Sequence, residues 1–331
     1  MTEEKFDLKK FAKKVRNKYS SIRIPEEEIK EEQEFISTGN KALDLILEGG
    51  ILVGYASEFS GFSGSGKTLI LQLLLANMQK KYNASCIWLD RENAFFPNRA
   101  KTLGIDLNKV ILIPPQDIVT VPDATSVLEE ILPEIPEDEY LFIAIDSISA
   151  FAKEGEKADM GKKAQSLHNL FRLIIPRINK RTSFNFANQK TYKVGVMFGP
   201  NTTVTGGESP KFYCTYRINL NDLKSIRDDK KGGEIVGTWI EATVIKTRLG
   251  PNYRKVVFPF YFQEGLPYYG GYARLLVDRN YLTPKNKAEF LSLKQVMVKF
   301  DEETFSEHNI EQFLEKHPEL DFNEFPEYKL V

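Results

Sequence analysis

The most specific chemistry in the chain lies in Gly61-Phe62-Ser63-Gly64-Ser65-Gly66-Lys67-Thr68. These residues fit the spacing GxxxxGK[ST], in which glycines let successive backbone N–H groups curl around phosphate oxygens. The motif requires a strand before it and a helix after it. Tyr55–Ser60 reads as the strand, and Lys67–Lys80 as the helix, with Leu69, Leu71, Leu73 and Leu74 on its apolar sides. The positive end of the helix dipole adds to the attraction for a polyphosphate. In that setting Lys67 reaches the terminal phosphates of a nucleotide and the Thr68 hydroxyl ligates Mg²⁺. A Gly/Ser-rich turn matching by accident would lack one or both flanking elements.

Two carboxylates complete the expected chemistry. The apolar run Leu141–Ile145 ends in Asp146-Ser147, which puts an acid at the carboxyl lip of a buried strand, where it can hold Mg²⁺. Asp146 also suits a helix N-cap, and one residue can serve both roles. The strand Ser85–Leu89 ends in Asp90-Arg91-Glu92. Taken alone, Glu92 reads as a surface loop acid. Its place directly after the first strand beyond the phosphate-loop helix favours a base that polarises water in line with the γ-phosphate.

The elements that must position these groups alternate along the chain. Val110–Ile113 is a strand stopped by Pro114-Pro115, Ala164–Ile178 is a helix and Ser183–Ala187 a strand. Apolar strands alternating with helices predict an α/β fold with a mostly parallel central sheet. Phe212–Leu220, Thr238–Lys246 and Lys255–Phe262 have no long helices between them and predict an antiparallel extension. With 331 residues, 42% apolar and 27% charged, the chain has material for one large core with small appendages and is not a disordered sequence. Cys86 and Cys214 make no CxxC pair and no disulfide framework, which fits a reducing cytoplasm. The residues after Met1 do not read as a signal peptide, and no apolar run approaches the ~18 residues of a membrane span. His168, His308 and His317 are too scattered for a metal site.

Charge is unevenly spread although the net charge is −1. Residues 1–20 hold seven Lys/Arg against three Asp/Glu, with Leu8, Phe11 and Val15 at helical spacing. Residues 24–34 are acidic and polar, so 1–34 reads as a helix with its linker, 35–280 as the core and 281–331 as a small C-terminal region. The tail 301–331 carries ten Asp/Glu against two Lys/Arg, and fits either a solvated helical end or an acidic lid over a basic surface. Residues 161–200 supply such a surface: eight Lys/Arg (Lys162, Lys163, Arg172, Arg177, Lys180, Arg181, Lys190, Lys193) and no acid. Lysines beside the apolar tip Val194, Val196, Met197 and Phe198 suit single-stranded nucleic acid, whereas a solvated helix face with an ordinary loop is the plainer alternative.

Together these residues resemble the RecA family of strand-exchange recombinases, including phage UvsX-like members. Ile36-Ser37-Thr38-Gly39 with Leu43-Asp44 is similar to the family's lead into its ATPase core. Asn188-Gln189, Val194-Gly195-Val196-Met197-Phe198-Gly199, Thr205-Gly206-Gly207 and Lys211-Phe212-Tyr213 are similar to its second DNA-binding loop and the strand after it. The likeness spans about residues 35–280.

The resemblance implies a RecA-like core with ATP and Mg²⁺. It implies a filament or ring of copies on single-stranded DNA, pairing with homologous double-stranded DNA, and accessory single-strand-binding and mediator proteins. Glu92 matches the water-activating acid and Gln189 the γ-phosphate sensor. Met160, Gly161 and Arg172 match the first DNA loop and the helix behind it. Lys193 and Val194 fall in the second DNA loop, Val194 as the residue that wedges between bases; Gly206 and Gly207 match backbone contacts to DNA phosphates. Lys246 and Arg248 match two cations that reach a neighbour's ATP, Phe212 an interface aromatic, and the helix carrying Phe11 one that packs on an adjacent protomer. Arg99 stands where the family stacks a tyrosine on adenine, and Phe96 where it has an acid; a guanidinium plane also stacks on a base. The expected function is an ATP-dependent recombinase acting in the cytoplasm of a bacterial or phage-infected cell. A RecA-core helicase or motor and a non-hydrolysing mediator filament are the rival readings.

Overall fold

Strands buried on both faces organise the molecule. In the run 141–145, Leu141, Ile143 and Ile145 belong to one apolar layer, and Phe142 and Ala144 to the other. In the run 86–89, Cys86 and Trp88 face one layer, Ile87 and Leu89 the opposite one. Period two with cover on both sides is the signature of a sheet sandwiched by helices. The computed structural model describes residues 7–19, 33–152, 160–192, 202–228, 233–283, 285 and 307–323.

The chain divides into two compact units, 1–34 and 35–331. In the first, α1 (Leu8–Arg16) is capped by Asp7, whose carboxylate accepts from the Lys10 N–H at 3.1 Å, and it leaves Leu8 and Phe11 exposed.

The second unit begins with β1 (Phe35–Ile36), α2 (Lys41–Ile46) and β2 (Ile51–Leu52), the two strands pairing antiparallel. The alternating core follows: β3 (Ala56–Gly61), α3 (Lys67–Tyr82), β4 (Ser85–Asp90), α4 (Pro97–Thr102), β5 (Val110–Ile113), α5 (Val121–Ile131), β6 (Leu141–Asp146), α6 (Met160–Ile174) and β7 (Thr182–Tyr192). Then come β8 (Thr202–Val204), α7 (Ser209–Tyr213), β9 (Tyr216–Asp228), β10 (Glu234–Lys246), β11 (Lys255–Tyr261), α8 (Tyr272–Asp278) and α9 (Glu307–Lys316). The sheet order is β11-β10-β9-β3-β7-β6-β4-β5, with β8 paired to β7 off this path. From β9 to β5 neighbours run parallel, and β10 and β11 are antiparallel. This is the mostly parallel α/β sheet with an antiparallel extension that the sequence implies.

Prolines account for two departures. The helix expected over Ala164–Ile178 runs from Met160 to Ile174 and ends in a single 3₁₀ turn, Ile175–Arg177. Pro176 has no N–H to continue the ladder, and its ring obstructs the preceding turn. The strand expected over Phe212–Leu220 is divided: α7 occupies Ser209–Tyr213, and β9 starts at Tyr216. Pro210 near the helix start suits a first turn, where an N–H is unsatisfied anyway.

α3 packs in the same apolar layer as Ile310, Phe313, Leu314 and Leu320 of the C-terminal segment. Tyr272 fastens that segment: its hydroxyl donates to Leu320 O at 2.5 Å and accepts from the Phe322 N–H at 2.9 Å. Lys41 pairs with Asp321 at 3.0 Å. The opposite layer centres on Phe171 of α6, fully buried against Phe184, Phe186 and Tyr213. Phe171→Ala should cost about 3–5 kcal/mol of stability, read as a lower urea midpoint. An unchanged midpoint would mean that this layer collapses onto the void.

Candidate active site

The phosphate loop leaves β3 at Gly61, where only glycine fits. A Cβ there would stand 2.3 Å from Ser65 Oγ and 2.5 Å from Leu220 O. Gly64 and Gly66 have φ of +80° and +84°, in the left-handed region that glycine adopts freely. Gly66 caps α3 without a side chain, so the first helical N–H groups stay available to an anion. Lys67 is buried, and its ammonium donates to Gly61 O at 3.2 Å and Phe62 O at 2.7 Å. Burial pulls its pKa below the ordinary lysine value, opposed by the nearby Glu92, Asp146 and Asp222. A terminal phosphate would supply the counter-charge in place of those carbonyls.

Thr68 Oγ1 donates to Asp146 Oδ2 at 2.7 Å. The other carboxylate oxygen, Oδ1, is buried with no hydrogen-bond partner. A hydroxyl beside an unpartnered carboxylate oxygen fits Mg²⁺ and its waters, which favour oxygen donors. Burial lifts Asp146 to about 6; Glu92 and Asp90 push the same way, while the Thr68 hydrogen bond and Lys67 oppose it.

Glu92 reaches this lip because Asp90 and Asp146 are partners in the β4–β6 register. The N–H groups of Arg91 and Glu92 donate to Asp146 O at 2.8 and 3.1 Å. Asp90 fixes the following turn by accepting from Ala94 and Phe95 N–H, each at 3.0 Å. Glu92 Oε1 accepts a hydrogen bond from the Ser147 hydroxyl. Gln189 comes from the other side, as the register partner of Gly61. A cleft of about 250 Å³ thus gathers Lys67, Thr68, Glu92, Arg99 and Gln189. Phe96, Gln72 and Phe260 also line it. Gln72 lies one turn beyond Thr68 and could have been found by helical spacing. Phe260 arrives on β11, and nothing in its sequence surroundings marks it.

The family model for the RecA N-terminal domain matches residues 5–267. The chain belongs to the RecA family. It is 30% identical over 295 residues to Protein RecA of Rickettsia conorii, covering 87% of this chain and 81% of that protein. To Protein RecA of Streptomyces rimosus it is 32% identical over 264 residues, covering 77% and 68%. Recombination and repair, with binding of ATP and DNA, are the family's general functions. Among the described residues no helix is long and apolar enough to cross a membrane.

Beside this RecA-family cleft, the residues expected at DNA are held by β7 and α6. Asn188 Nδ2 donates to Glu58 Oε1 at 2.7 Å and to Thr205 O at 2.9 Å, and Asn188 Oδ1 accepts from the Thr205 N–H at 3.2 Å. Arg217 on β9 pairs with the same buried Glu58. Thr205 leads into Gly206 and Gly207, both with positive φ, where a Cβ would approach Leu167 and Ala164 of α6. Met160 and Gly161 open that helix, and Arg172 lies exposed in its last turn. Tyr192, at the end of β7, stacks on Phe62 of the phosphate loop, the ring centroids 4.9 Å apart. Lys193 and Val194 lie outside the described residues.

Lys246 and Arg248 do not line the cleft of their own chain. Lys246 Nζ donates to Lys211 O, and Arg248 Nη2 to Phe212 O at 3.0 Å, both carbonyls of α7. Burial, then the neighbouring Arg248, holds Lys246 below the ordinary lysine value. The Phe212 ring is 68% exposed.

Two substitutions test this geometry. Gly61→Ala should abolish nucleotide binding in a filter or fluorescence titration, because the methyl would overlap Ser65 and Leu220. Asp146 has its carboxyl raised from 3.8 to about 6, so the stability it contributes is full below 3.8 and lost as pH rises through 6. Asp146→Asn should therefore raise the melting temperature at pH 8, with the gain fading toward pH 4. Its Mg²⁺-dependent nucleotide affinity should fall by about tenfold or more. A lower melting temperature at pH 8 would refute the burial argument.

Proposed function

We propose that this chain is an ATP-dependent recombinase that forms a filament on single-stranded DNA and promotes homologous pairing and strand exchange. The observation that carries the reading is the path of β7. It passes Gln189 at the nucleotide cleft and continues to Tyr192, while Asn188 grips Thr205, the residue leading into Gly206-Gly207.

In this reading Gly61, Phe62, Ser63, Gly64, Ser65 and Gly66 wrap the phosphates, and Lys67 neutralises them. Thr68 and Asp146 would hold Mg²⁺, which spreads the charge of the β- and γ-phosphates when bound. Glu92 accepts a proton from water as the water oxygen bonds to the γ-phosphorus. The bond from that phosphorus to the β,γ-bridging oxygen breaks, and ADP and phosphate leave. Arg99 and Phe96 lie at the edge suited to the base. The ammonium of Lys246 and the guanidinium of Arg248 complete the charge at an adjacent copy's γ-phosphate, with Phe212 and Phe11 at the contact between copies. Met160, Gly161, Arg172, Lys193, Val194, Gly206 and Gly207 engage DNA, and single-strand-binding and mediator proteins would act on the same filament. The setting is the cytoplasm of a bacterium, or of a host if phage-encoded. Because ATP and DNA both favour the assembled form, each should tighten the other.

ATP hydrolysis measured with and without single-stranded DNA tests this coupling, and joint-molecule formation separates a recombinase from a helicase. Single-stranded DNA should raise turnover. Glu92→Gln should retain ATP binding and lose on the order of 10²-fold or more in turnover. A turnover rate indifferent to DNA, or strand unwinding without joint molecules, would overturn the reading.

A further inference from the structure

Ser147 and Ser149, in the turn after β6, connect Glu92 to the backbone of Gln189. The Gln189 N–H donates to Ser149 Oγ at 2.7 Å. Ser149 Oγ lies 3.1 Å from Ser147 Oγ, and the Ser147 hydroxyl donates to Glu92 Oε1.

The ends of this chain of hydrogen bonds set its polarity. A backbone N–H can only donate, and an ionised carboxylate can only accept. With Ser149 accepting from Gln189 and Ser147 donating to Glu92, the Ser149 proton is directed to Ser147. All three bonds run from β7 to Glu92, and bonds aligned in this way strengthen one another. The turn itself is braced from α6, because Lys163 Nζ donates to Ser149 O at 2.8 Å and to Phe151 O at 2.7 Å. Glu92 is solvent-exposed, and its carboxylate orientation is set here by the Ser147 bond.

We infer that Ser147 and Ser149 are positioning residues: the hydrogen-bond chain from the Gln189 backbone latches the Glu92 carboxylate through Oε1 and holds it from its water. The inference rests on the recombinase reading for the direction of the signal. DNA bound beyond Tyr192 would displace the Gln189 backbone from Ser149. Without that first bond, Ser149 would polarise the Ser147 hydroxyl less, and Glu92 would turn to the water more often. The route runs through the backbone of Gln189 and is separate from any contact of its side chain with the γ-phosphate.

The test uses the full-length protein with MgATP and a single-stranded homopolymer DNA. Ser149→Ala should raise the DNA-free kcat roughly two- to five-fold, with KM for ATP within about twofold of wild type. The stimulation ratio with DNA should shrink by the same factor. Ser149→Thr, which keeps the hydroxyl, should restore wild-type behaviour. Ser149→Cys, near-isosteric but a weak hydrogen bonder, serves as the second removal should the alanine variant melt early. A DNA-free kcat at or below wild type in the variants that remove the hydroxyl, or a threonine variant that behaves like them, would overturn the latch. If wild-type hydrolysis proves indifferent to DNA, the recombinase reading falls, and the DNA-free comparison among Ser149 variants still decides the latch. A chain that hydrolyses no ATP in any form overturns both.

Discussion

The hydrogen bond from Thr68 Oγ1 to Asp146 Oδ2 joins the first turn of α3 to the end of β6, although β7 lies between β3 and β6 in the sheet. It exists because neighbouring parallel strands end at one edge: Gly61 is level with Gln189, and Asp90 with Asp146. Parallel strands linked by helices on the sheet faces return their carboxyl ends to the same side. A slip by one residue in β6 would turn Asp146 to the other face and exchange its two apolar layers. The hydrophobic pattern that drives folding therefore also sets the geometry of the site.

A second constraint lies beneath the strand that carries Gln189. Glu58 on β3 is fully buried and serves both Arg217 on β9 and Asn188 on β7. A buried carboxylate is tolerable only with its charge and lone pairs satisfied, and removing one partner leaves the other exposed to the full desolvation cost. This binds three adjacent strands at one point. Asn188 uses its remaining capacity on both backbone groups of Thr205. The phosphate-loop strand and the segment that leads into Gly206-Gly207 are thus parts of one polar network, and Tyr192 stacked on Phe62 adds an apolar contact between the end of β7 and the phosphate loop.

Much of this was legible in residue order. The phosphate loop, the strand ends bearing Asp146 and Glu92, and the mostly parallel sheet follow from spacing and from apolar runs. Element boundaries depart from that pattern at prolines. Pro176 and Pro210 each moved an element boundary, because a proline's effect depends on whether it falls in a first turn or inside a helix. Phe260, Asp222 and Tyr192 could not be found in advance. Each is far in sequence from the residues it approaches, and no periodicity marks it.

The order of amino acids by itself determined which groups can hold phosphate, which strands must be buried and where a basic, acid-free stretch lies. These are local properties of composition and period. Only the tertiary structure decided that Ser149 meets the Gln189 backbone, that Glu58 serves two strands, and that Lys246 and Arg248 rest on the carbonyls of α7 and away from their own cleft. The physical reason is that these contacts depend on strand order and register, which are settled by packing of the whole sheet and not by any single segment.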